Sequence, residues 1–188
     1  MLEAAVLIAA YIVGSVPAAW LVARARGFDI LAIGTGNPGA ANVFRSVGRG
    51  AGAAVFISDV LKAALPVALA RGLGVSEWVA LAVGLAALTG HWYPVLLRFR
   101  GGAGIAPAVG VTAAMMPVPG IVAIALGMAT LAMMRSSGPA AALGAGSFVI
   151  SALLFGHPVS LTLATGSLLL LVGLRRYLLP FVGARSPG

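Results

Sequence analysis

The residue types best suited to chemistry are gathered in one stretch, GTGNPGAANVFR, from Gly34 to Arg45. Its three glycines (Gly34, Gly36, Gly39), two asparagines (Asn37, Asn42), Thr35 and Pro38 disfavour a helix, because glycine and proline are the poorest helix formers and asparagine prefers caps and turns. A loop is therefore expected over 34–45. Uncovered glycine N–H groups, side-chain amides and the planar donor fork of Arg45 together suit an anionic oxygen cluster such as a phosphate. Taken alone, the same composition equally describes a surface turn between two helices.

A second passage, GHWYPVLLRFRGGAG (Gly90 to Gly104), places Arg98 and Arg100 directly before Gly101, Gly102 and Gly104. His91, Trp92 and Tyr93 sit where an aromatic belt at a membrane interface is expected. Two glycine-rich, arginine-flanked loops on one side of the molecule favour a phosphate-binding surface over two unrelated turns. Asp59 and Lys62 lie three residues apart inside an apolar run, on one helical face. A lone charge at a bilayer centre costs about 3 kcal/mol, so the two are expected to pair, or Lys62 to reach for the interface. An internal structural pair and a ligand-contacting pair fit this spacing equally.

No conventional catalytic set accompanies these residues. A nucleophile elbow, a His/Glu metal pattern, a P-loop and an HxxxxD acyltransferase pattern are all missing from the sequence, and there are no cysteines for disulfides or thiolate sites. Ser15 and Ser58 have no base beside them in the sequence. Chemistry here is expected to rest on binding and orienting charged substrates. Nothing calls for a cofactor or a metal.

The elements that must position these loops are apolar. Of 188 residues, 61% are hydrophobic and 9% charged, and the mean hydropathy is +1.08, which marks an integral membrane protein. Seven apolar segments approach the roughly 20 residues that a spanning helix needs: Leu2 to Ala23, Ala51 to Ala70, Val75 to Leu97, Gly104 to Met116, Pro119 to Met134, Ala140 to Phe155 and Val159 to Leu174. The first contains GSVP, Gly14 to Pro17, where a kink is expected. Glu3 and the length of the first run argue against a signal peptide.

Charge sets the orientation. With the N-terminus outside, the inside connections hold Arg24, Arg26, Arg45, Arg49, Arg98, Arg100, Arg135, Arg175, Arg176 and Arg185, and the outside ones only Arg71, offset by Glu77. This alternation is a positive-inside pattern over seven helices. It places both glycine-rich loops and the C-terminus in the cytoplasm, and it accounts for the net charge of +8 without a nucleic-acid partner. The expected architecture is a single all-α domain over 1–188, with seven transmembrane helices.

Gly14 and Ser15, then GTGNPGAANVFR, then DVLK (Asp59 to Lys62), then GHWYPVLLRFRGGAG, in that order and spacing, resemble the PlsY family of bacterial membrane acyltransferases. The match covers roughly the first 110 residues. The resemblance implies a multi-pass protein of the cell membrane, with membrane lipid around it, that moves an acyl chain from acyl phosphate to glycerol 3-phosphate and forms lysophosphatidic acid, the donor's acyl chain lying in a groove between helices. It implies a substrate-assisted reaction in which the donor's own phosphate helps deprotonate the attacking hydroxyl. Carried over position by position, Thr35, Asn37, Gly39, Asn42 and Arg45 bind phosphate oxygens. Asp59 and Lys62 support the site from the second segment. His91, Arg100, Gly101, Gly102 and Gly104 complete the facing loop, with Ser15 and Ser137 as further contacts.

The sequence also departs from the family pattern. The family's GGKG is GGAG here, so its lysine is replaced by Ala103, and GATN is GAAN, with Ala41 in place of threonine. The serines that follow an arginine survive as Arg135, Ser136 and Ser137, while a C-terminal HxxN pair falls on Arg176 and Leu179 and is absent. Losing a lysine that neutralises a dianion removes several kcal/mol unless another cation replaces it; Arg98, Arg100 and Arg176 are the candidates. These departures motivate a second reading, a non-catalytic relative that binds an anionic lipid or lipid precursor. A transporter fits less well, because intramembrane polarity is nearly limited to Ser58, Asp59 and Lys62.

Overall fold

The computed structural model describes residues 1–134 and 137–178. Within them are nine α-helices and no strand. In chain order these are α1 (Leu2–Gly14), α2 (Ala18–Arg24), α3 (Ala40–Ser46), α4 (Arg49–Gly72), α5 (Glu77–Trp92), α6 (Ile105–Met115), α7 (Pro117–Met134), α8 (Ser137–Leu154) and α9 (Val159–Leu178). Four stretches are long and apolar enough to cross a membrane: Leu2–Arg24, Arg49–Gly72, Glu77–Leu97 and Pro117–Met134. Ile105–Met115, Gly138–Leu154 and Val159–Gly173 are shorter apolar helices.

The first apolar segment is interrupted where GSVP stands. Pro17 has no N–H to donate and disfavours helical backbone at Val16. The helix stops at Gly14 and resumes at Ala18, which frees the Val16 carbonyl for another donor.

The stretch expected to be a loop over 34–45 is a loop only in its first half, and this corrects the sequence reading. From Ala40 the chain is helical, with Gly39 extended as the residue before the first turn (φ −139°, ψ 163°). Averaging composition over the whole stretch masked Ala40 and Ala41, which are strong helix formers once the glycines are behind them. Gly34 and Gly36 take positive φ (59° and 66°), a backbone that residues with a Cβ adopt at a cost.

Small residues bring the helices close. A Cβ on Gly14 would overlap the Ala87 backbone, and one on Gly90 would lie 2.9 Å from the Ser15 N, so α1 and α5 cross with their backbones nearly in contact, as small residues permit between membrane helices. The main core gathers Val67, Val83, Leu88, Val111, Met115 and Phe148 from α4, α5, α6 and α8. A separate cluster of Ala19, Ala23, Ile30, Val43, Ala51 and Val55 packs α2, α3 and the first turns of α4 together, and so fixes the 34–39 loop against the membrane-crossing part. At the far end of α4, Arg71 donates from Nη1 to the Ala114 carbonyl at 2.8 Å and pairs with Glu77 at 3.1 Å, joining α4, α5 and α6.

The crossing makes a specific demand on side-chain size. Gly14→Leu is expected to lower the thermal midpoint of the detergent-solubilised protein, by about 1–3 kcal/mol of overpacking. Gly146→Leu, with nothing within 4 Å of its Cβ position, meets no such overlap and replaces a glycine inside a helix, so it should not lower the midpoint. Equal shifts in thermal unfolding would show that the α1/α5 contact is not tight.

Candidate functional site

The polar residues of the membrane core come together at the break between α1 and α2. Lys62 on α4 donates from Nζ to the Val16 carbonyl at 2.8 Å, and the same Nζ lies 2.8 Å from Asp59 Oδ1. The lysine–aspartate contact is an ion pair without hydrogen-bond alignment: Asp59 Oδ1 has no hydrogen-bond partner among the described residues. His91, at the end of α5, places Nδ1 3.7 Å from the same oxygen. All three side chains are buried (Asp59 2%, Lys62 7%, His91 6% exposed). Asp59 and Lys62 thus pair with each other, the lysine also donating to a carbonyl at the proline break, and both side chains line the cleft described next.

The two glycine-rich passages meet beside this cluster. A Cβ on Gly102 would lie 2.6 Å from His91 Nε2 and 3.0 Å from the Pro38 carbonyl, so only a residue without a side chain lets the loop after α5, the 34–39 loop and the histidine converge. A small cleft at this point is lined by Asp59, Lys62, His91, Pro38, Gly101 and Gly102, together with Gly14, Val16, Pro17, Ala18, Pro94 and Leu97. Gly101 donates its N–H to the Trp92 carbonyl at 3.1 Å, folding the loop back onto the end of α5. Among the described residues, the backbone N–H groups from Gly102 to Ala106 have no acceptor, and the first turn of α6 closes with the Ala108 N–H donating to the Gly104 carbonyl at 3.0 Å. Such a run of free donors at the start of α6 carries partial positive charge.

The remaining sequence candidates take separate places. Asn42 is buried and fully occupied: Nδ2 donates to the Ile30 and Ile33 carbonyls (3.3 and 3.0 Å), while Oδ1 accepts from the Thr35 N–H (3.1 Å) and the Ser46 hydroxyl (3.2 Å). With every donor used internally, it shapes the loop. Thr35 and Arg45 are exposed and Gly39 half-buried. Asn37 is half-buried, with its Oδ1 enclosed and unpartnered among the described residues. Of this loop only Pro38 lines the cleft. Ser15 turns its hydroxyl to the Tyr11 carbonyl at 2.8 Å and packs on Gly90, outside the cleft lining. Arg98 and Arg100 are exposed. Arg135 and Ser136, the side chains of Ser137 and Arg176, and Leu179 lie outside the described residues.

Arg175 and Trp92 are the residues that sequence reasoning passed over. Arg175 on α9 donates from Nη1 to the Gly102 carbonyl at 3.1 Å, and its guanidinium lies over the rings of Trp92 and Tyr93 at 5.1 and 5.4 Å. Trp92, read as a membrane-interface anchor, is 7% exposed and donates from Nε1 to the Ala103 carbonyl at 3.0 Å. The only available signal was a pair of arginines ending an apolar run, which also reads as topology.

The buried ion pair can be tested by removing one partner. Lys62→Met leaves Asp59 uncompensated and is expected to destabilise by about 3–5 kcal/mol, while Asp59→Asn/Lys62→Met together should recover much of that loss. Thermal unfolding in detergent measures both; a double variant no more stable than Lys62→Met alone would show that the pair is not the source of the loss.

Residues 4–178 match the family model described as glycerol-3-phosphate acyltransferase. Among curated proteins, the chain is 48% identical over 126 residues to the glycerol-3-phosphate acyltransferase of Rubrobacter xylanophilus, covering 67% of this chain and 63% of that protein. It is 50% identical over 127 residues to the one from Geobacter sulfurreducens, covering 67% and 65%. The match to the Thermus thermophilus protein of the same name is 41% over 155 residues, covering 81% and 77%. The chain thus spans less than two thirds of the length of the Rubrobacter and Geobacter relatives. Two crystal structures of PlsY, an integral membrane glycerol 3-phosphate acyltransferase, superpose with a TM-score of 0.81 at 30% identity, covering 95% of this chain and 92% of that one. One is the glycerol 3-phosphate form and the other the lysophosphatidic acid form.

Proposed function

The chain belongs to the glycerol-3-phosphate acyltransferase family, and from that premise we propose that it transfers an acyl chain from acyl phosphate to glycerol 3-phosphate. The product is lysophosphatidic acid. The observation that carries this reading is the convergence at Gly102 of the 34–39 loop, His91 and the 101–104 loop beside the buried Asp59–Lys62 pair. It supports the reading that a family member with no nucleophile works by binding and orienting phosphorylated substrates where these loops meet.

The reaction needs few participants. The acceptor hydroxyl oxygen attacks the acyl carbonyl carbon, the bond from that carbon to the phosphate oxygen breaks, and the proton passes to the departing phosphate. Inorganic phosphate leaves and an ester remains. Neither a metal nor a cofactor enters these steps. Thr35, Asn37, Gly39 and Arg45 hold the donor phosphate, with Asn42 shaping their loop. Gly101, Gly102 and Gly104 present backbone donors on the acceptor side, with His91, Asp59 and Lys62 supporting the junction and Arg100, Ser15 and Ser137 at its margins.

The protein is one domain of the bacterial cell membrane, and α1 with α2, then α4 to α9, make seven crossings. The arginine distribution supports an outside N-terminus and cytoplasmic loops. The donor's acyl chain then lies between helices at the bilayer while its phosphate reaches the cytoplasmic face.

Membranes containing the protein, given acyl phosphate and labelled glycerol 3-phosphate, should form labelled lysophosphatidic acid. None above background, with donor protected from hydrolysis, overturns the reaction; substrate binding without transfer would instead favour the non-catalytic reading. Arg45→Ala should raise the KM for donor by about tenfold or more, the scale of one charge-assisted hydrogen bond. Arg49→Ala, outside the motif and exposed, should change it less than about twofold. Equal effects count against a specific phosphate cradle.

A further inference from the structure

Helix α5 has 16 residues and rises about 24 Å, so by itself it falls short of the roughly 30 Å of a bilayer's hydrocarbon core. Glu77 in its first turn is exposed and paired with Arg71, which marks the wet end of the crossing. The other end is completed by the turn that follows the helix: the apolar stretch runs on to Leu97, through Pro94 and one turn of 3-10 helix, Val95–Leu97. That turn has two sides. Pro94 and Leu97 are buried and line the cleft, whereas Val95, Leu96 and Phe99 are exposed, Leu96 at 75% and Phe99 at 59%. Arg98 and Arg100 flank Phe99, are exposed, and have no ion-pair partner among the described residues.

The turn also holds a costly shape. Arg98 and Phe99 have φ of 51° and 64°, and they are the only non-glycine residues with positive φ among those described; for a bulky side chain such as phenylalanine that backbone is an outlier. It is closed by the Phe99 N–H donating to the Pro94 carbonyl at 2.9 Å and the Gly101 N–H to the Trp92 carbonyl at 3.1 Å. Strain of this kind persists where the surroundings compensate for it, and on the exposed side of the turn no protein does so. We propose that the 94–100 turn binds anionic lipid: Val95, Leu96 and Phe99 enter the edge of the hydrocarbon layer, and Arg98 and Arg100 reach back to headgroup phosphates. The occupant is a membrane because the turn continues a crossing at the depth where hydrocarbon ends, and it is anionic because both unpaired charges are cations. The arginines remain in the wet headgroup layer, where each attraction is screened, so the preference comes from two cations held in place by an apolar anchor. The inference rests on the crossing at Glu77–Leu97 and is independent of acyl transfer. It places Gly101 and Gly102, the next residues of the cleft lining, at the edge of the bilayer.

The chain has no cysteine, so one introduced cysteine can carry a bimane fluorophore at a chosen position of the full chain in vesicles. Phe99→Cys and Leu96→Cys place it on the turn, and Ala32→Cys, exposed between α2 and α3, is the control. Brominated acyl chains quench on contact. In vesicles containing brominated phosphatidylcholine, the labels at 96 and 99 should be quenched and the label at 32 should keep its emission. With brominated phosphatidylglycerol diluted into plain phosphatidylcholine, the label at 99 should report a preference for the anionic lipid of about fivefold, the scale of one arginine at an anionic surface. Arg98→Gln/Arg100→Gln in the labelled chain should lose that preference while quenching by brominated phosphatidylcholine remains. Unquenched labels at both turn positions overturn the proposal, and are what a turn standing in water as a docking site for an acidic protein would give. A label at 32 quenched as strongly overturns it too. Equal quenching by the two lipids, or a preference that survives loss of both arginines, overturns the assignment of the arginines to lipid phosphate. If Phe99→Cys does not fold, the label at 96 decides in the same way.

Discussion

A buried lysine holds the arrangement together. Lys62 sits in an apolar helix where an isolated charge is costly, and what makes it tolerable is a pair of partners from different parts of the chain: Asp59 one turn earlier, and the Val16 carbonyl at the break between α1 and α2. The break is needed for the lysine, since an unbroken helix would have used that carbonyl itself. At the break the Val16 carbonyl accepts from both the Ala18 N–H, at 3.1 Å, and Lys62 Nζ, at 2.8 Å, so both of its lone pairs are used in a setting where water is scarce. Asp59 then draws His91 to within 3.7 Å, and the imidazole's other edge is the surface on which Gly102 rests. One ion pair therefore ties the first crossing, α4, α5 and the second glycine loop to a common point.

The second feature is the division of labour between backbone and side chains. In the 34–39 loop a side chain shapes the backbone: Asn42 closes two carbonyls and an amide around itself, and positive-φ glycines make the turns. In the 101–104 loop the long side chains of Trp92 and Arg175 do the same from outside. Both loops gain rigidity before any ligand arrives, and preorganised donors lose less on binding than mobile ones.

Much of this was legible in the sequence where the cause was local. The stop at Gly14 follows from Pro17, and the pairing of Asp59 with Lys62 follows from helical spacing. The membrane class follows from composition. What was not legible depended on contacts across long separations. Helix α3 was hidden because glycine and asparagine dominated the average over 34–45, although helix formation begins only after Gly39. Asn42 has the composition of a ligand residue, and only its neighbours Ile30 and Ile33, brought round by the turn, show that its amide is spent. Trp92 was indistinguishable from a membrane-interface aromatic until Ala103 folded back onto it. Arg175 lies 73 residues from Gly102, and nothing in a one-dimensional pattern states which helix flanks which loop.

That last separation bears on the alanine at 103. The Ala103 side chain is 8% exposed, enclosed beside α5, so a long cationic side chain grafted there would have to displace packing before it could reach a ligand. Arg98 and Arg100, the nearest cations in sequence, point into solvent exposure, where their attraction for an anion is screened. Arg175 approaches from a different helix and meets the loop through a carbonyl and two aromatic faces, in a setting where water is scarcer and charge acts more strongly. A cation lost from one element of a packed site can be supplied from another, because electrostatics depends on distance and burial and is indifferent to chain order.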